Sequence, residues 1–123
     1  MLKKTGMLVS KLDIDKKNSL YYEFEEGKQN NYKYVFVNAL PGNISAWNVE
    51  IGKRVRDAGH GYLTYNFRGQ INSSFDESIN LTSEIIISDL LKLINHLNLK
   101  NIILFGLSIG GLYAAIASLD KLM

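Results

Sequence analysis

The sequence predicts an α/β fold: a mostly parallel sheet, opened by an antiparallel hairpin and carrying helices on both faces. Three observations predict it. Near the start, Leu20, Tyr22 and Phe24 alternate with Tyr21, Glu23 and Glu25, the period of a strand with one wet face. Further on, "VFV" and "NIILF" are continuous apolar runs, as in strands buried on both faces of a parallel sheet. From residue 32 onward, strand-like and helix-like segments alternate three times, the order of an α/β sheet with parallel central strands.

Each element has its own signal. "LVSKLDID" and "LYYEFEE" flank "KKNS" and read as the hairpin. "GKQNN" is a polar loop, and "YKYVFVNAL" is a strand centred on Val35, Phe36 and Val37 that "PGN" breaks. Ser45 is the expected N-cap of a helix with Trp47, Ile51, Val55 and Ala58 at helical spacing and Gly59 as its stop. "GYLTYNF" is strand-like, and "RGQINSS" is a loop. Thr82 or Ser83 is the expected cap of the next helix, whose apolar stripe is Ile86, Leu90, Leu93, Ile94 and Leu97. "NIILF" follows, and Ile109, Leu112, Ile116 and Leu119 are expected to form the buried face of a last helix.

Composition narrows the function classes. At 123 residues the chain has length for one domain and one core. An apolar share of 46% and a charged share of 21% belong to a soluble globular protein. The net charge is only +2 and the basic residues are scattered, so no nucleic-acid partner is expected. Lys3 and Lys4 are followed by few apolar residues before Lys11, Asp13 and Asp15. That is too short for a signal peptide and far too short to span a bilayer, so no membrane association is expected. The lack of cysteine excludes disulfides, thiolate catalysis and zinc–cysteine sites. It is compatible with a reducing compartment, and the expected location is cytoplasmic.

The chemistry is concentrated in "GLSIGG", residues 106–111. A dinucleotide fingerprint needs glycine where Ser108 stands, and a phosphate loop needs lysine and a hydroxyl where Leu112 and Tyr113 stand. Gly106, Ser108 and Gly110 match G-x-S-x-G fully, in the order strand, sharp turn, helix. Such a turn strains the serine so that its hydroxyl projects from the sheet edge. Side chains at the flanking positions would collide across the bend, and Gly111 is expected to let helix and strand lie close. The other reading is a packing turn with a spectator serine.

From about Asp13 onward the chain resembles the first half of an α/β-hydrolase domain. "VFVNALPGNISAW" is similar to that family's strand, His-Gly-x-Pro-Gly loop and Trp-bearing helix. "GHGYLTYNFRGQINSS" resembles its next strand and Asp-x-Arg-Gly-x-Gly-x-Ser loop, with Arg68, Gly69 and Ser73 matching. "SDLLKLINHLNLKNIILFGLSIGG" resembles its second helix, central strand and nucleophile elbow. Asn38-Ala39 replaces His-Gly, Asn66 replaces the loop's Asp, Ile71 its second Gly, and Leu107 a frequent His. The resemblance implies a catalytic nucleophile, Ser108, and an oxyanion hole made by the backbone N–H groups of Ile109 and Leu40. It implies neither cofactor nor metal. Ala39 restricts the loop conformation and bears on the aim of the Leu40 donor.

A serine nucleophile needs a base, itself oriented by a third group. The two histidines, His60 and His96, are expected at the N-terminal edge of the sheet, away from Ser108. Asp76 and Glu77 are expected as solvated loop acids near a pocket rim. The family places its acid and histidine after the nucleophile. Residues 1–123 are therefore expected to be the N-terminal portion of a single α/β-hydrolase domain, holding a nucleophile without its triad. The expected chemistry is ester or thioester hydrolysis of a small molecule through an acyl-serine. The alternatives are a non-catalytic remnant or interaction module, and nucleotide binding at "GLSIGG". "NIILF" is expected at the sheet edge without protective charges, a template for pairing. A complementary C-terminal half, a separate chain or self-association is expected to cover it.

Overall fold

The computed structural model describes residues 2–4, 7–28, 32–48 and 50–122, the side chains of residues 2–4, 45, 121 and 122 excepted. The N-terminal hairpin forms as its alternation requires. β2 (Met7–Asp13) and β3 (Ser19–Glu25) pair antiparallel with Leu12 opposite Leu20 and Leu8 opposite Phe24. A short strand not foreseen in the sequence, β1 (Leu2–Lys4), adds to the outer side of β2. β3 also pairs antiparallel with β5 (Gly61–Tyr65), while β4 (Lys33–Val37) pairs parallel with both β5 and β6 (Ile102–Gly106). The sheet order is β1-β2-β3-β5-β4-β6. The sheet is thus mixed, with its parallel part on the side that carries Ser108. The polar loop expected at residues 27–31 lies partly outside the described residues.

Burial follows the strand pattern. All five residues of β5 are buried, as are Val35, Phe36 and Val37 of β4, because both faces of these central strands are covered. On one face Leu20, Tyr22, Val35, Val37, Leu63 and Tyr65 pack against α3 (Ser83–His96) and α4 (Ile109–Leu122). On the other, Phe36 and Tyr62 meet Trp47 of α1 (Ser45–Asn48) and Val55 of α2 (Ile51–Asp57). α3 keeps its predicted stripe, and the Thr82 hydroxyl caps it by accepting the Ile85 N–H at 3.2 Å.

Two helices depart from expectation. The single helix predicted from Ser45 to Ala58 is two, and its apolar stripe is not a packed face: Ile51 and Ala58 are exposed. Trp47 and Gly52 make the close contacts instead, Gly52 lying flat against the Tyr62 ring. Five residues apart, they point roughly 140° away from each other on a straight helix, so a break is needed to bring both to the sheet. The cap assigned to Ser45 lies outside the described side chains. Gly59 does end α2, at φ 90°.

The buried residues of α4 are Gly110, Tyr113, Ala114 and Ala117; of the expected face, Ile109 and Ile116 pack partly buried against the core, whereas Leu112 and Leu119 are exposed. Position 110 is glycine because α4 starts against the end of β4, where a Cβ would run into the Val37 and Asn38 carbonyls. Strand β6 is at the sheet edge, with Phe105 half exposed. Among the described residues no helix is long and apolar enough to cross a membrane.

Candidate active site

β6 ends at Gly106 and α4 begins at Ile109, so two residues turn the chain from strand to helix. Ser108 takes the turn at φ 57°, a left-handed conformation that a side-chain-bearing residue adopts only at a cost of about 1–3 kcal/mol. The neighbours enforce it. A Cβ on Gly106 would lie closer than 3.0 Å to the Gly110 backbone, and one on Gly110 closer than 3.0 Å to the carbonyl oxygens of Val37 and Asn38. Gly111 differs from expectation: a Cβ there would meet only the backbone of Gly106, at 3.6 and 4.0 Å. Close approach of helix and sheet is therefore made by Gly110. Ser108 is exposed, and Ile109 opens α4, where its N–H has no intrahelical acceptor.

The loop carrying Leu40 touches this turn. Leu107 N–H donates to the Val37 carbonyl at 3.0 Å, and Gly110 abuts Val37 and Asn38. Gly42 N–H closes a tight turn on the Ala39 carbonyl at 3.0 Å. Ala39 is not among the described residues with positive φ, so the loop takes a conformation in which a Cβ is unstrained.

Three amides, Asn38, Asn66 and Gln70, surround that loop. Asn38 and Asn66 are each 1% exposed. Asn38 Nδ2 donates to the Tyr65 carbonyl (2.8 Å), Asn66 Oδ1 (3.1 Å) and Gln70 Oε1 (3.0 Å), and its Oδ1 accepts Trp47 Nε1–H at 2.7 Å. Asn66 Oδ1 also accepts Ile44 N–H at 2.9 Å, while its Nδ2 donates to the Ile71 carbonyl at 2.8 Å. The exposed Ile71 needs no glycine, because Gly69 (φ 85°) and Asn72 (φ 65°) supply the left-handed turns. Ser73 Oγ donates to the Asn66 carbonyl and accepts Tyr21 N–H, tying the loop to β3. Arg68 makes a buried two-point ion pair with Asp89 of α3 at 2.7 and 2.9 Å, which holds its guanidinium protonated above the ordinary range.

Neither histidine accompanies Ser108. His60 precedes Gly61, which shares a register row with Lys33 and Ile102; Ser108 follows Gly106, in the opposite row with Val37. The strand between these rows spans ~17 Å. His60 packs on Tyr32 and Tyr34, its Nδ1 buried without a partner. His96, on α3, packs edge-on against Tyr22 of β3, a strand that lies three places from β6 in the sheet. Asp76 is held below the ordinary carboxyl range, first by the Ser78 hydroxyl and then by the Ser78 N–H. Glu77 lines a cleft of about 280 Å³ with Leu40, Phe67, Gln70, Phe75 and Leu81. Residue types alone point to Ser108 and its glycines; they do not show that Gln70 and Trp47 both bond the Asn38 carboxamide. The signal available was the run of amides after two adjacent strands, Asn38, Asn66 and Gln70.

Comparison with known proteins agrees with this architecture. Residues 35–121 match the family model of the alpha/beta hydrolase fold. No curated protein matches by sequence. Among solved structures, a carboxylesterase from the thaumarchaeon Nitrososphaera gargenis is 28% identical with a TM-score of 0.80, over 90% of this chain and 40% of that one. An esterase from Exiguobacterium antarcticum is 24% identical with a TM-score of 0.73, over 84% and 37%. The epoxide hydrolase VrEH1 of Vigna radiata is 16% identical with a TM-score of 0.80, over 98% and 37%, a likeness of fold alone. The chain thus spans well under two thirds of the length of each of these structures. With the parallel strands, the strand–turn–helix at Ser108 and the match over residues 35–121 taken together, the chain belongs to the alpha/beta hydrolase fold family.

Proposed function

We propose that the chain carries the nucleophile and the oxyanion hole of a serine hydrolase acting on small esters or thioesters. The observation that carries this reading is Ser108 at φ 57°, exposed between two glycines that leave no space for a side chain. In the proposed reaction Ser108 Oγ bonds to the carbonyl carbon of the substrate, and the π pair moves onto oxygen. That anion is held by the N–H groups of Ile109 and Leu40, and the serine proton passes to a base. Collapse breaks the bond to the leaving oxygen or sulfur, which takes that proton back from the base and departs as the alcohol or thiol. Water then attacks the acyl-serine, releasing the acid and restoring Ser108. With both histidines away from Ser108, the base comes from outside residues 1–123. A complementary C-terminal half bearing an acid and a histidine is the proposed source. The same partner covers the open edge of β6, and pairing of two β6 edges is the alternative cover. A stable monomer at micromolar concentration in sedimentation would count against that need for cover.

The histidine positions also favour a second reading, a non-catalytic interaction module of the same fold. One experiment separates the two. The isolated chain is expected to show negligible esterase turnover and little labelling of Ser108 by a fluorophosphonate. The chain joined to a family C-terminal half carrying its Asp and His is expected to gain both, and Ser108→Ala to abolish both. Turnover that survives Ser108→Ala would make the serine a spectator, and failure of the joined protein to gain either would favour the module.

A further inference from the structure

Gln70 sits between Gly69 and Ile71 in the turn after β5, and all the hydrogen-bonding capacity of its carboxamide that the loop can use is taken. Oε1 accepts from Phe67 N–H at 2.8 Å and from Asn38 Nδ2 at 3.0 Å. Nε2 donates to the carbonyl oxygens of Ala39 at 3.1 Å and Leu40 at 2.9 Å. Turning the amide over would set its nitrogen against two donors and its oxygen against two carbonyls, so only one orientation fits.

The bond to Ala39 has a geometric consequence. The described peptide bonds include none that is cis. In a trans peptide the C=O and the N–H of one plane point in opposite directions. Whatever fixes the Ala39 carbonyl therefore fixes the Leu40 N–H. Two local constraints act on this segment: Gly42 N–H bonds the same Ala39 oxygen at 3.0 Å, and Pro41 biases Leu40 towards extended backbone. Gln70 supplies the constraint from a distant segment, anchored in turn by Asn38 and by Phe67 N–H.

We propose that Gln70 is a positioning residue: through the Ala39 carbonyl it sets the aim of the Leu40 N–H towards the anionic oxygen formed at Ser108. The proposal rests on the reading of Ser108 and Leu40 given above. It also accounts for Ala39, since a loop held by amides from outside has no need of glycine at that position.

Two variants divide the role. Gln70→Glu keeps the acceptor half of the network, for Phe67 N–H and Asn38 Nδ2, and sets a carboxylate oxygen against the Ala39 and Leu40 carbonyls. Gln70→Met removes both halves at similar volume. In the weakly aligned 123-residue chain, the N–H residual dipolar coupling of Leu40 is expected to change in both variants. The couplings of Val35, Phe36, Val37 and, in Gln70→Glu, Phe67 are expected to stay at wild-type values. A Leu40 coupling unchanged in both variants overturns the proposal. In the joined protein, Gln70→Glu is expected to lower kcat by about 10²–10³-fold, the loss of one oxyanion donor, with KM held within about threefold. Turnover abolished by Ser108→Ala but unaltered in Gln70→Glu overturns the positioning role alone. Turnover that survives Ser108→Ala overturns the reading of Ser108 on which it rests.

Discussion

The two turns that meet at the C-terminal edge of the sheet are held by opposite means. Residues 106–111 are fixed by the absence of side chains: Gly106 and Gly110 fill their places with backbone, and short backbone bonds such as Gly110 N–H to Leu107 C=O (2.9 Å) close the turn. The loops after β4 and β5 are fixed by side chains that reach across, Asn38 to Asn66 and Gln70 to Ala39. A strained serine is imposed by sterics, from within the turn at Gly106 and from the end of β4 at Gly110. An unstrained loop is only partly fixed by its local devices, the Gly42–Ala39 turn and Pro41, so partners distant in sequence complete the selection of its conformation. The two turns should therefore fail differently when altered.

The largest effect is expected at the anchor of the amide-held loop. Asp89→Asn leaves the Arg68 guanidinium, 7% exposed, without its counter-charge. A loss of about 3–5 kcal/mol is expected from removing one partner of a buried pair, read as a shift in urea midpoint. A loss below about 1 kcal/mol would mean that the loop releases Arg68 to water and does not depend on the pair.

A smaller effect separates glycines within the other turn. Gly106→Ala forces a Cβ into backbone and should destabilise by about 1–3 kcal/mol or more. Gly111→Ala meets only contacts at 3.6 and 4.0 Å. As a glycine replaced within a helix it should stabilise by about 0.4–1 kcal/mol. Equal midpoints for the two variants would remove steric exclusion as the device that holds Ser108.

The smallest effect is in acid. The amide-held loop continues to a carboxylate stay: Asn18 Oδ1 accepts Asp76 N–H at 2.8 Å, and Asn18 Nδ2 donates to Asp15 at 2.9 Å. Asp15 is held below the ordinary value of 3.8 by the Lys17 N–H and then by the Asn18 side chain; Asp76 is lowered likewise by Ser78. Lowered carboxyls contribute stability that is present above the ordinary value and lost as pH falls through the lower folded ones. Unfolding midpoints should therefore decline below about pH 4, and Asp15→Asn with Asp76→Asn should flatten that decline. An unchanged acid slope in the double variant would place the sensitivity elsewhere.

Much of this architecture is legible in the residues, and the failures have physical causes. The alternation of Leu20, Tyr22 and Phe24 gives the hairpin its inner face, and "VFV" marks a strand covered on both sides, because side-chain period and burial are local consequences of strand geometry. The turn at residues 106–111 is legible for the same reason: a turn that excludes Cβ atoms must be written with glycine. β1 is not legible, because three residues carry too little periodicity. Asn38 and Asn66 read only as departures from a family pattern and Gln70 as an unremarkable loop residue, since nothing at any one position shows that the other two complete it.

The sequence by itself determined the order of elements from β2 onward, the central strands, the position of Ser108 and the separation of both histidines from it. These depend on composition and spacing along one segment at a time. The tertiary structure decided which side of α4 is packed, where the helix after Ile44 breaks and which amides hold the Leu40 loop. Each of those depends on what stands opposite: the carbonyls at the end of β4 admit Gly110 but not a leucine, the Tyr62 ring admits Gly52, and a carboxamide is satisfied only when two other segments bring its partners.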